Sequence, residues 1–151
     1  MTDFTIQVNG LTDLTISLDR LSGAITNKRI LNLIATKIKN NIFTRTSAGY
    51  DQNYNKFLPY SPKYAIYKGT TRVNLTDTGQ MLNEMTQKVI SNDTIKLFFV
   101  EGRARNLAFK HMNTARKIRS FFGVNARDEA EATALYDREI SAEIARLGLS
   151  P

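Results

Sequence analysis

A chain of 151 residues, 42% hydrophobic and 23% charged, has room for one domain with a core and is short for two. It has no Cys and one His, His111, which excludes disulfides, thiolate chemistry and a zinc centre built from His and Cys ligands. Its formal net charge of +7 makes nucleic-acid phosphates or an acidic protein face the natural partners. The start, MTDFTIQVNG, lacks the basic opening and apolar run of a signal peptide. No apolar stretch approaches the ~20 residues that span a bilayer. The expectation is a cytoplasmic protein with no membrane partner.

DFTIQVNG places Phe4, Ile6 and Val8 on one face and Thr5 and Gln7 on the other, then ends at Asn-Gly, which predicts a strand and a turn. LTDLTISLDRL mixes both periods and leaves a second strand or a helical turn open. From about Thr26 to Thr44, Ile30, Ile34, Ile38 and Ile42 recur at helical spacing, with Thr26 or Asn27 as the cap. Gly49 ends that helix, because glycine readily takes positive φ.

The next stretch, from Gly49 to Leu82, has no hydrophobic period. It holds five of the six tyrosines (Tyr50, Tyr54, Tyr60, Tyr64, Tyr67) and Phe57. Connections beyond about 12–15 residues are usually functional or disordered, and disordered segments are poor in aromatics. An extended interface loop over 45–80 that orders against a partner is the expectation. Asp77-Thr-Gly-Gln-Met-Leu predicts a short helix or turn. NEMTQKVI and TIKLFFV flank Ser91-Asn92-Asp93 as a β-hairpin that Gly102 closes. Leu107, Ala108 and Met112 mark a possible helical face in the basic segment that follows. Asp128 is read as the cap of a last helix carrying Ala132, Leu135, Ile140, Ile144 and Leu147, ended by Gly148. The sum is a single α+β domain over 1–151: a small antiparallel sheet packed on a long helix, with a Tyr-rich excursion and a C-terminal helix.

Charge is unevenly laid out. From Lys28 to Arg72 nine bases face one acid, Asp51. Arg103, Arg105, Lys110, Arg116, Lys117 and Arg119 form a second basic block. In the C-terminal run Asp128, Glu129, Glu131, Asp137, Glu139 and Glu143 outnumber the bases. Basic blocks track phosphates, meet the acidic helix of a neighbouring copy, or are plain solvated faces.

No catalytic constellation is present. His111 sits among bases without a carboxylate or nucleophile near in sequence, and such a His is more often structural than catalytic. Gly69 and Gly79 are isolated, so no phosphate-binding loop motif matches. The acids of the last helix are spread around it, as on a solvated face rather than a metal site. Neither an enzyme nor a cofactor is expected. Phe121-Phe122-Gly123 after Arg119 is either a stacking platform for single-stranded nucleic acid or one core Phe followed by a turn.

Several elements occur in a telling order: Phe43 and Arg45, Gly49, Phe57-Leu58-Pro59-Tyr60-Ser61, Lys68, and Leu75-Thr76-Asp77-Thr78-Gly79-Gln80-Met81-Leu82. His111, Arg119-Ser120-Phe121-Phe122-Gly123 and a final helix follow. Over residues 25–147 the chain resembles the virion-morphogenesis, or tail-completion, family of tailed bacteriophages. Phe57 stands where that family usually has Trp, the gap from Gly49 is longer, and a Pro before the Arg-Phe-Gly element is missing.

The resemblance implies a structural protein of the virion's head-to-tail junction. It would be a homo-oligomeric ring, commonly sixfold, contacting other neck, connector and tail proteins and joining tail to head, with DNA in the channel as a further contact. On this reading Phe57, Tyr60, Tyr64, Tyr67 and Lys68 are interface anchors, and Thr78 and Gly79 set the turn into the next element. The block from Arg103 to Arg119 is a second contact. Replacing Phe57 and Tyr64 together by Ala is expected to leave the monomer folded but abolish ring formation or tail attachment. The alternatives are a tail terminator or head-tail adaptor and, from another class, a DNA-binding accessory protein.

Overall fold

The computed structural model describes residues 4–9, 13–18, 28–70, 73, 75, 80–91, 94–100, 102–114, 119–146 and 148. Alternating residues produce four strands: β1 (Phe4–Asn9), β2 (Asp13–Leu18), β3 (Met85–Val89) and β4 (Thr94–Phe99). The ambiguous second segment is therefore strand β2. All pairings are antiparallel, in the order β1-β2-β4-β3. The register sets Ile16 against Ile95 and Ile95 against Val89, and Leu14 against Leu97. Leu14, Ile16, Ile95 and Leu97 are completely buried on this face. Each such side chain contributes about 1.5–3 kcal/mol by leaving water.

Helix α1 (Lys28–Ser47) covers that face, burying Ile30, Leu31, Ile34, Ala35, Ile38 and Ile42. The expected cap residues Thr26 and Asn27 lie outside the described residues. At its other end Gly49 takes φ +94° and Tyr50 N–H donates to Arg45 O (2.9 Å) while Gly49 N–H donates to Thr46 O (3.0 Å). These two bonds, set by the left-handed glycine, satisfy carbonyls the helix leaves open. A Cβ at Gly49 would stand 2.8 Å from Val73 O, so the returning chain can pass only over glycine.

The stretch 45–80 differs from the expected single extended loop. It begins inside α1, contains helix α2 (Pro62–Lys68), and buries Phe57, Val73 and Leu75. The chain then passes through α3 (Gln80–Asn83), the β3–β4 hairpin, α4 (Arg103–Phe109) and a π-helical turn, Lys110–Thr114. Phe121 and Phe122 are both buried, packing on Phe99 with ring centroids 6.1 and 5.4 Å away. A nucleic-acid stacking platform at Phe121-Phe122 is thus ruled out, since neither face is open.

Helix α5 (Ala126–Arg146) runs antiparallel to α1, because rising positions on one meet falling positions on the other. Arg29 pairs with Glu139 (3.0 Å), Lys37 with Glu131 (3.3 Å), and Arg45 with Asp128. The cap is Asn125 rather than Asp128. Asn125 Oδ1 accepts from Asp128 N–H (2.9 Å) and Asp128 Oδ2 accepts from Asn125 N–H (3.1 Å), a reciprocal capping box.

Arg45 and Asp128 are 1% and 0% exposed at the side chain. Besides Arg45, Asp128 accepts from Asn41 Nδ2 (2.9 Å), and Arg45 also donates to Gly123 O. Breaking such a pair strands a buried charge. Asp128→Ala is expected to cost about 3–5 kcal/mol in urea unfolding. Lys37→Ala, which removes an exposed pair with Glu131, is expected to cost under ~1 kcal/mol.

Candidate functional site

The expected interface residues divide into an inner and an outer set. Phe57 is 8% exposed and belongs to the core, so it is not an outward contact residue in this chain. Phe57 N–H donates to Gly49 O (2.9 Å), tying it to the end of α1. Tyr60 is half-buried. Tyr64 and Tyr67 lie outward on α2, at 41% and 85% exposed. Thr78 and Gly79 lie outside the described residues.

Helix α2 exists because both of its ends are closed locally. Ser61 Oγ accepts from Tyr64 N–H (3.3 Å), Pro62 occupies the first turn, and Gly69 at φ +75° returns its N–H to Ala65 O and Ile66 O. Thr70 N–H also donates to Ala65 O (3.2 Å). The helix has seven residues and none of them is buried. An isolated helix of that length is marginal in water, so caps and ring contacts must hold it. The ring contacts are a chain: Tyr60 to Tyr64 edge-on with centroids at 4.8 Å, then Tyr64 to Tyr67 at 6.0 Å.

Under this chain sits a cationic collar. Lys68 Nζ donates to Tyr60 Oη (3.2 Å) and stands 5.3 Å from the centroid of the same ring. Arg119 Cζ stands 5.4 Å from that ring, and its Nη2 donates to Leu58 O (3.2 Å). One tyrosine thus holds two cations by its π face and hydroxyl, which offsets their mutual repulsion. Arg119 is 9% exposed and its backbone N–H donates to His111 O (2.8 Å), so it links the π-helical turn to the segment 58–60 that leads into α2.

The basic block is not one stripe. Arg103 and Lys110 face solvent, Arg105 is half-buried, Arg119 is buried, and Arg116 and Lys117 lie outside the described residues. The acidic run behaves differently too. Glu131 and Glu139 are held below the ordinary carboxylate range, first by hydrogen bonds from Asn41 and Arg29 respectively. Those donors belong to α1 of the same chain. The charge match between the first basic segment and the last helix, for which a contact between copies was one of three sequence readings, is in good part satisfied within one copy.

Sequence reasoning missed two exposed apolar residues in this region, Ile66 at 82% and Leu58 at 55%. The signal for α2 was present as Ser61-Pro62 and Gly69, a start and a stop eight residues apart. Among the described residues no group of three or more His, Asp and Glu could hold a metal ion, and no helix is long and apolar enough to cross a membrane. What the arrangement offers chemically is an outward apolar and aromatic helix face on a rigid cationic base. No protein-family description, curated protein or solved structure matches the chain.

The inner and outer sets separate by experiment. Phe57→Ala is expected to lose about 3–5 kcal/mol of unfolding free energy, and Tyr67→Ala to stay within about 0.5 kcal/mol of the parent. His111 supplies a pH test. Burial, then Arg119, Lys110 and Lys68, push its pKa down from 6.5 to about 4. The unfolded chain therefore binds a proton that the folded chain refuses between those values. His111's contribution is full above pH 6.5 and is lost as pH falls towards 4. Melting temperature against pH should slope less steeply in His111→Gln across this window.

Proposed function

We propose that this chain is a structural subunit of the head-to-tail junction of a tailed bacteriophage, a tail-completion protein that forms a ring with copies of itself and joins tail to head. The observation that carries the reading is α2, which is capped at both ends, buries none of its own residues and presents Ile66 and Tyr67 almost fully to solvent. Exposed apolar residues grouped on a preformed element mark protein contact surfaces, and Tyr is enriched in them. The order of motifs from Phe43 to the last helix supports the phage assignment. A role as terminator or adaptor ring would use the same face.

The DNA-binding reading draws on the +7 charge. It is weakened because Arg29, Lys37, Arg45 and Arg119 already have partners within the fold. Phosphate tracking needs free cations along a surface.

Light scattering coupled to size exclusion tests the proposal at low and high salt, with and without duplex DNA. The expected result is a discrete closed oligomer that Ile66→Asp with Tyr67→Ala reduces to a folded monomer. A monomer that shifts in mass only when DNA is added would overturn it in favour of nucleic-acid binding.

A further inference from the structure

Which surface of a second copy receives α2 can be read from the charges left over after folding. On α5, Asp128 is met by Arg45, Glu131 by Lys37 and Arg127, Glu139 by Arg29 and Arg138, and Glu143 by Arg146. Elsewhere among the described residues, Asp13 pairs with Lys96, Asp51 accepts from Asn53 and Asn55 N–H groups, and Glu84 is engaged. Glu129 and Asp137 are the described carboxylates that no cation or donor meets. Both are exposed.

Asp137 lies near the middle of the face of α5 turned away from α1, among exposed Ala130 and Ala134. Helical spacing sets Ala130, Ala134 and Asp137 within about 60° of one another, opposite the buried Asp128, Ala132 and Tyr136. Small side chains there let another backbone approach closely, so a large side chain from outside can cover them. On α2 the complementary pattern appears. Lys63, Ile66 and Tyr67 stand at i, i+3 and i+4 on the outermost face, all exposed. No acid occurs between Asp51 and Asp77, so the face is purely cationic and apolar.

We propose that α2 of one copy docks across the outer face of α5 of a second copy, with Ile66 and Tyr67 covering Ala130 and Ala134 and Lys63 opposite Asp137. This rests on the homomeric reading above and names the two surfaces it requires. The patches differ, so each copy gives one and receives the other, and the contact repeats head to tail until it closes. Apolar contact supplies the attraction and the Lys63–Asp137 pair fixes register, since like charges brought together there are strongly disfavoured.

The absence of native cysteine makes proximity directly testable. Ile66→Cys and Ala134→Cys placed in one chain should yield, on mild oxidation, a disulfide-linked ladder between copies. Ile66→Cys paired with a cysteine at exposed Ser91 should not. Lys63→Asp and Asp137→Lys should each raise the concentration needed for half-assembly by about tenfold or more. An equal mixture of the two variants should recover assembly, because alternating copies restore opposite charges at every contact. Circular dichroism melts check that each variant folds. Normal assembly with no ladder and no charge effect overturns the docking geometry and leaves the homomeric reading standing. A parent chain that stays monomeric at every concentration overturns both.

Discussion

The buried ion pair between Arg45 and Asp128 is the constraint on which the rest of the structure depends. It joins the last turn of α1 to the first turn of α5, and its members also hold Gly123 O, Asn41 and the Asn125 cap. Two charges removed from water are costly unless hydrogen bonds offset the loss, and in this pair Arg45 Nε stays without a partner while the other polar atoms are engaged. Asp128 accepts three hydrogen bonds, which is why a carboxylate can sit at 0% exposure in the middle of this fold. Once these two turns are fixed, the chain between Gly49 and Gly123 has its beginning and end anchored close together. Asn125 Nδ2 to Gln52 O (2.7 Å) and Gln52 N–H to Ser120 O (2.9 Å) tie the returning strands of chain beside it.

That anchoring makes the aromatic segment intelligible. Its base is core: Phe57, Val73 and Leu75 are drawn in beside the end of α1, and Gly49 lets the chain pass at close range. Its tip cannot reach the core, so the residues from Ser61 to Gly69 close upon themselves as a short capped helix. Tyr60 lies at the boundary between the two and is clamped by Lys68 and Arg119. A projecting element with a fixed base loses little conformational freedom when something binds to it, which favours its use as a contact.

Electrostatics divides along the same line. Most carboxylates of α5 are neutralised by α1 or by neighbours on their own helix, while the collar beneath α2 gathers Arg119, Lys68, Lys110 and His111. His111 responds by remaining neutral, with its Nδ1 buried and without a partner. The molecule is thus strongly basic on the side of its outward helix and nearly balanced along the packed pair α1 and α5.

Local pattern was enough to specify three of the strands and the two long helices. A period of two gave β1, β3 and β4, a period near 3.6 gave α1 and α5, and Gly49, Gly102 and Gly148 marked stops, because these depend only on neighbours along the chain. The α+β architecture follows from those elements, since one sheet face and one long apolar helix must cover each other. Segment 11–21 stayed ambiguous until β4 was available to pair with it, and a strand is defined by its partner. The aromatic segment was legible as special, and Tyr60, Tyr64, Tyr67 and Lys68, singled out there, do lie together. That Phe57 turns inward and Ile66 outward was not legible, because burial depends on which other parts of the chain the fold brings against a residue. Asp128 looked like the cap of the last helix. Its partner Arg45 lies 83 positions earlier, and only the antiparallel packing of α1 on α5 brings the two charges into one dry space where each requires the other.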